Sequence, residues 1–173
     1  MRDDVKAVFD RNGTPDETLK ALMPVFAKAL NCERCVMFLR DPMTDRGRAV
    51  HRWHSEPKFA LDRPDRGWQP NPPDLAKVDP MYGEALVNPE ALYIEDIETA
   101  GPAVLDLDFE RKYFGHRALA HAPIFHKGEL YGVLEPSSMV NPKKWSAADK
   151  ALVAEVQKQL GPIVAEFVQQ DAK

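Results

Sequence analysis

Between residues 19 and 30 the apolar side chains Leu19, Leu22, Met23, Phe26, Ala27 and Leu30 recur at steps of three and four, the spacing of one buried stripe on a helix. Thr14-Pro15-Asp16-Glu17 marks where that helix begins, with Thr as N-cap, Pro in the first helical position and acids at the positive end of the dipole. The pattern predicts a helix to about Asn31, kinked at Pro24, which lacks a backbone donor. A second stripe, running from Leu152 and Val153 through Val156, Leu160, Ile163 and Val164 to Phe167, predicts a closing helix that ends near Gln170. Ser146 is placed to cap it, Asp149 to complete a capping box, and Pro162 to kink it.

Between these helices the period changes. Cys35-Val36-Met37-Phe38-Leu39 is a short apolar run that reads as a strand covered on both faces, and the turn-rich Asp41–Asp45 leads into a more polar returning strand over residues 48–55. Six prolines between Pro57 and Pro80 rule out regular structure, so this stretch reads as one long excursion, with Trp68 pointing to a packed loop. A short helix at 79–86, a brief strand at 91–95 and a helix at 105–114 follow. Residues 118–125 and 130–135 are β-like runs around His126-Lys127-Gly128-Glu129, the signature of a hairpin.

The chain has 173 residues and is 44% hydrophobic, enough for one ordinary core but not for two domains. A formal net charge of −4 supplies no basic field for a polyanion, which argues against nucleic acid as a partner. The first residues are acidic where a secretory leader is apolar, and no run approaches the roughly 18 apolar residues of a membrane span. The expectation is a cytoplasmic protein without a membrane partner.

The order of elements, together with three local motifs, resembles the GAF domain family. ALAHAPIFHKGELYGVLEP resembles that family's penultimate hairpin, Trp145–Leu152 the start of its last helix, and Tyr93-Ile94-Glu95-Asp96 the short strand before its pocket-covering helix. The likeness extends to stand-alone GAF proteins of photosynthetic bacteria. It implies an α+β fold: an antiparallel sheet of five or six strands, terminal helices on one face, and a ligand pocket beneath the loops of residues 57–115 on the other. It assigns residues 14–170 to the domain, 1–13 to a short extension and 171–173 to a tail. It further implies a noncatalytic sensory and regulatory role, a homodimer joined through the first and last helices, and a separate output protein. The many apolar and alanine positions of the closing helix agree with the dimer, since one stripe must face the sheet and the rest needs covering.

Candidate chemistry is sparse. Cys32 and Cys35 have the spacing of a shared metal ion, iron-sulfur cluster or redox pair, but no second paired motif supplies further ligands. In the GAF-like arrangement they sit where the first strand begins, and structural cysteines are the favoured reading. Bilin-binding relatives attach chromophore through a cysteine near the helix before the penultimate hairpin; here Phe109–Arg117 contains none, so covalent attachment there lacks its nucleophile and noncovalent tetrapyrrole binding stays open. Methionine sulfoxide reduction, another activity of the family, needs thiols at the pocket. Under period-two alternation Arg117 and His121 share a strand face, with His116 just before it, and are candidate anchors for an anionic group. Trp53, Trp68, Tyr93, Tyr113 and Phe114 are candidates for an apolar lining. No cofactor is identified by these residues.

Overall fold

The apolar run at Cys35–Leu39 occupies the interior of a six-stranded antiparallel sheet, where neighbours on both edges satisfy its backbone. A computed structural model describes residues 1–173. In chain order the elements are α1 (Asp3–Phe9), α2 (Pro15–Ala29), β1 (Arg34–Asp41), β2 (Arg46–His54), a 3₁₀ turn (Pro57–Phe59) and β3 (Gln69–Pro70). Then come α3 (Leu75–Val78), α4 (Pro80–Ala85), β4 (Leu92–Ile94), α5 (Leu107–Tyr113), β5 (Ala118–His126), β6 (Glu129–Ser138) and α6 (Ala147–Asp171). The strand order is β3-β2-β1-β6-β5-β4.

Alternation along the strands divides the core into two layers. Cys35, Met37 and Leu39 of β1, Ala120, Ala122 and Ile124 of β5, and Leu134 of β6 pack with the stripes of α2 and α6. Leu119, Leu130 and Val133 belong to the other side, where α4, β4 and the loop before α5 contribute Met81, Ala85, Ile94, Ile97 and Leu105. Both long helices begin with reciprocal capping boxes, Thr14 with Glu17 and Ser146 with Asp149. The first stops in a Schellman arrangement: Asn31 takes a positive φ of 52°, and the Cys32 and Asn31 amides donate to the carbonyls of Ala27 and Lys28. Neither Pro24 nor Pro162 breaks its helix.

Two expectations change. The extension at 1–13 contains a helix: Val5, Val8 and Phe9 follow helical spacing, Val5 and Val8 are buried, and the Met1 ammonium lies 2.7 Å from Glu155 of α6. The acidic and basic residues between them disguised the stripe. The apolar arc of α6 is also covered within the one chain. Leu152, Val153, Val156, Leu160, Val164, Ala165, Phe167 and Val168 are all buried, while Ala147, Ala151 and Ala154 are exposed. What α6 leaves for a partner to cover is therefore exposed alanines and the half-buried Ile163.

The α6 layer rides close on the hairpin. A Cβ at Gly161 would come 2.6 Å from the Phe125 carbonyl oxygen, a contact that backbone must move to relieve. Helix propensity alone favours alanine over glycine by about 1 kcal/mol. We expect Gly161→Ala to lower the thermal midpoint nonetheless, as followed by circular dichroism; a stabilised variant would show that α6 is free to lift off β5.

Candidate functional site

The face of the sheet opposite α2 and α6 carries a buried group of charged side chains. Glu135 stands on β6 beside Val36 of β1, in the interior of the sheet, and is 3% exposed. A carboxylate there costs several kcal/mol in lost hydration unless cations and donors surround it. His121 of β5 brings Nδ1 to 3.2 Å from Glu135 Oε2, and His116 brings Nδ1 to 3.5 Å from Oε1. The other nitrogen of His116, Nε2, lies 2.7 Å from Glu110 Oε2.

Local sequence produces this placement. Asp106 caps α5 by accepting the Phe109 amide, and the helix ends with the Phe114 and Gly115 amides both donating to the Glu110 carbonyl. Gly115 takes a φ of +64°, a conformation that glycine adopts without steric cost. The reversal drops His116 beneath Glu110 on the inner side of α5. Arg34, at the start of β1, donates from Nη1 to the Phe114 carbonyl at 2.8 Å, and its Nη2 lies 3.5 Å from His116 Nδ1. The Phe114 ring stacks on His116 with an interplanar angle of 8° and meets Phe38 edge-on.

Arg34 Nε and His121 Nε2 are buried without a hydrogen-bond partner, and Glu135 Oε1 has only the long approach of His116. Formally the group balances, with Arg34 and an imidazolium at His116 opposing Glu135 and Glu110. Burial disfavours the charge on His116, but its contacts with Glu110 and Glu135 outweigh that and raise its pKa. Burial likewise opposes ionisation of Glu135, and the two histidines overcome it, holding the carboxyl well below the usual range. Burial pushes Glu110 upward, against His116.

Of the residues singled out from sequence, Phe114, His116 and His121 meet here. The others lie apart. Arg117 is clamped by Asp96, Nε to Oδ1 at 2.7 Å and Nη2 to Oδ2 at 2.8 Å, so its fork is already filled. Trp53 packs on the helix side under Lys28, and Trp68 donates to Asp171 at 2.9 Å, also on that side. Tyr93 packs against Trp145 at the β4 edge, and Tyr113 is exposed on α5. Arg34, Glu110 and Glu135 were missed, although a carboxylate inside the apolar Leu130–Glu135 run was a visible signal. Two open grooves border the 57–115 segment: one of about 270 Å³ along β4, lined by residues 92–104, and one of about 520 Å³ that joins residues 89–93 to Pro123, Phe125 and α6.

Cys32 and Cys35 are free thiols buried in the helix-side layer. Burial pushes Cys32 up to about 12 and Cys35 well above its ordinary value, so neither is a thiolate at neutral pH, the form that ligates or attacks. No group of three or more His, Cys, Asp or Glu side chains is arranged to hold a metal ion. No helix is long and apolar enough to cross a membrane.

The buried group makes stability depend on pH in a definite direction. A raised His116 pKa contributes stability that is fully present below its ordinary value of 6.5 and is lost as pH rises through the folded value. The depressed Glu135 contributes stability present above 4.5 and lost only on strong acidification. Denaturant unfolding at about pH 6 and about pH 9 should show a loss of stability on the alkaline side that is smaller in His116→Gln. Identical slopes in both proteins would mean that His116 carries no extra proton in the folded state.

Comparison with known proteins agrees with this architecture. No curated protein matches the chain significantly. Among solved structures, the photoproduct state of the GAF3 domain of a Synechocystis protein is 25% identical, covering 91% of this chain and 98% of that one, with a TM-score of 0.68. The phycoerythrobilin-bound GAF domain of a cyanobacterial phytochrome is 16% identical over 96% and 97%, TM-score 0.71. The GAF domain of a phosphoenolpyruvate-protein phosphotransferase from Coxiella burnetii is 14% identical over 98% and 95%, TM-score 0.71. The family model for the GAF domain matches residues 14–163, most of the chain and all six strands. On that match, and with the sheet order and two-sided layering just described, the chain belongs to the GAF domain family.

Proposed function

We propose that this protein is a noncatalytic sensory module that takes a small molecule against the Glu135 face of its sheet, under α4 and α5, and passes the change to another protein. The observation that carries the reading is the set of buried polar atoms left without partners, Arg34 Nε, His121 Nε2 and Glu135 Oε1. Native proteins seldom leave such groups unpaired in the core, because each forfeits hydration without return. They supply a donor, a donor or acceptor, and an acceptor on one surface. Charge balance favours a neutral molecule with adjacent donor and acceptor atoms over the anion first considered for Arg117 and His121. Bound bilins in two structural relatives suggest a tetrapyrrole, whose ring N–H and carbonyl groups supply adjacent donors and acceptors and whose propionates would have to lie outside the buried group. Opening would require the Phe114 and His116 stack to move.

A second reading has its own support. The charged group is buried in the chain as it stands, which also suits an interaction module that has no small ligand and works as a homodimer or docks on an output protein. The exposed Ala147, Ala151 and Ala154 of α6 would then be the surface used.

Protein purified from its native host should carry a stoichiometric small molecule visible by native mass spectrometry or absorption. Glu135→Gln should lose it and lose ligand-dependent thermal stabilisation while keeping its far-ultraviolet dichroism. An empty chain whose melting temperature answers to no metabolite in a broad panel would sink the sensor reading.

The second reading makes a separate prediction. Sedimentation at micromolar concentration should give the mass of two chains, reduced to one by Ala154→Glu without loss of fold. A single-chain mass at every concentration removes the homodimer.

A further inference from the structure

The Glu135 face and the α6 layer lie on opposite sides of the sheet, and residues 61–68 pass around its β2 edge just before β3. At one end of this segment the Arg63 guanidinium sits 4.8 Å over the Tyr113 ring and 5.2 Å over the Phe114 ring, at the end of α5. Its carbonyl is held by Arg52 of β2. At the other end Trp68 is buried in the helix-side core and donates its indole N–H to Asp171, in the last turn of α6. Between them Asp65 accepts from Arg48 at 2.6 and 3.0 Å, and Arg48 also bonds Asp171. The Trp68 carbonyl accepts from Arg46 at 2.6 Å.

These contacts form two clusters joined by a few residues of chain. Phe114 stacks on His116, so displacement of the site's ceiling changes the surface on which Arg63 rests. Pro64 stiffens the link, and Asp65 fixes the turn by accepting the Gly67 amide. Arg48 sits at the junction and shares its guanidinium between the segment and α6.

We propose that Arg63–Trp68 is a strap around the sheet edge that couples the layer over the buried charged group to the last turn of α6. As a route for a ligand signal it rests on the reading of the Glu135 face as the ligand site. The mechanical coupling does not, because both ends are engaged in the protein alone. The π contacts at Arg63 and the bond at Asp171 favour one joint arrangement. Releasing either end lowers the cost of releasing the other, and this mutual dependence is reciprocal.

Hydrogen exchange of the full chain, followed by mass spectrometry without any added ligand, tests this. Arg63→Ala should speed exchange at residues 167–171 by at least about fivefold, and Asp171→Asn should do the same at 107–114. Trp68→Phe removes the indole N–H together with part of the buried ring, and should act in the same direction as Asp171→Asn. Arg111→Ala, on α5 but outside the strap, breaks an ion pair with Glu98 of the preceding loop and should leave 167–171 unchanged. If each variant alters exchange only around its own position, or if Arg111→Ala acts as strongly as Arg63→Ala, the strap is refuted. Coupling without any ligand-induced thermal shift would leave the strap standing and remove the sensor, and a ligand bound without coupling would do the reverse.

Discussion

Glu135 imposes the main constraint on this molecule. Its carboxylate stands on an interior strand of a six-stranded sheet, where removal from water costs several kcal/mol and cannot be escaped by a rotamer change to the surface. Arg34, His116 and His121 bring positive charge and donors to it, and Glu110 offsets part of that charge. His121 comes from the neighbouring strand, as cross-strand pairing allows, but His116 and Arg34 need the chain to be brought in deliberately. The Schellman end of α2 delivers Arg34 to the first position of β1, and the Gly115 reversal delivers His116. A change at either turn would leave a buried charge uncompensated, which is far more damaging than the loss of the turn itself.

The other side of the sheet is ordinary by comparison. Cys35, Met37, Leu39, Ala120, Ala122, Ile124 and Leu134 meet α2 and α6 in an apolar layer, with α1 laid against its flank. That layer supplies stability without directional bonds, and its small residues let α6 come near enough to the hairpin that Gly161 tolerates no side chain. One face of the sheet is thus specified by packing and the other by charge. The division explains why Cys32 and Cys35 are protonated thiols despite their spacing: they fall in the apolar layer, where burial outweighs the pull of Lys143 and Arg34 toward the thiolate.

The fold was legible where periodicity and capping spoke for single elements. Thr14 with Glu17 and Ser146 with Asp149 located both long helices, and the turn at Lys127-Gly128 located the hairpin. Alternation along β5 correctly put Leu119 and His121 on one face. The site was less legible because its members are joined only by the folded chain. Arg34 and His116 are 82 residues apart in sequence, and no local pattern relates them. Arg117 looked equally eligible as an anchor, yet Asp96 sits across from it and takes its Nε and Nη2 donors. Aromatic residues misled for a similar reason: Trp53 and Trp68 serve the helix-side core, where a large apolar ring needs no further purpose. Helix α1 escaped notice because Asp3, Asp4 and Lys6 dilute a stripe made of only three side chains.

Buried ion groups are weak devices for stability. Replacing one by well-packed apolar residues is often neutral or favourable, so a chain selected only to hold this fold would gain by filling the Glu135 face with leucine and valine, as the opposite face is filled. Here four ionisable side chains and an arginine are retained instead, and several of their polar atoms are unpaired. With members left unpaired, directional contacts hold that face less firmly than a fully satisfied network would. This arrangement also makes the opened state responsive to whatever pairs those atoms. A surface with a closed arrangement that is costly to keep and an open one that a partner can stabilise has two states for a ligand to choose between, which a sensor requires and a static scaffold does not.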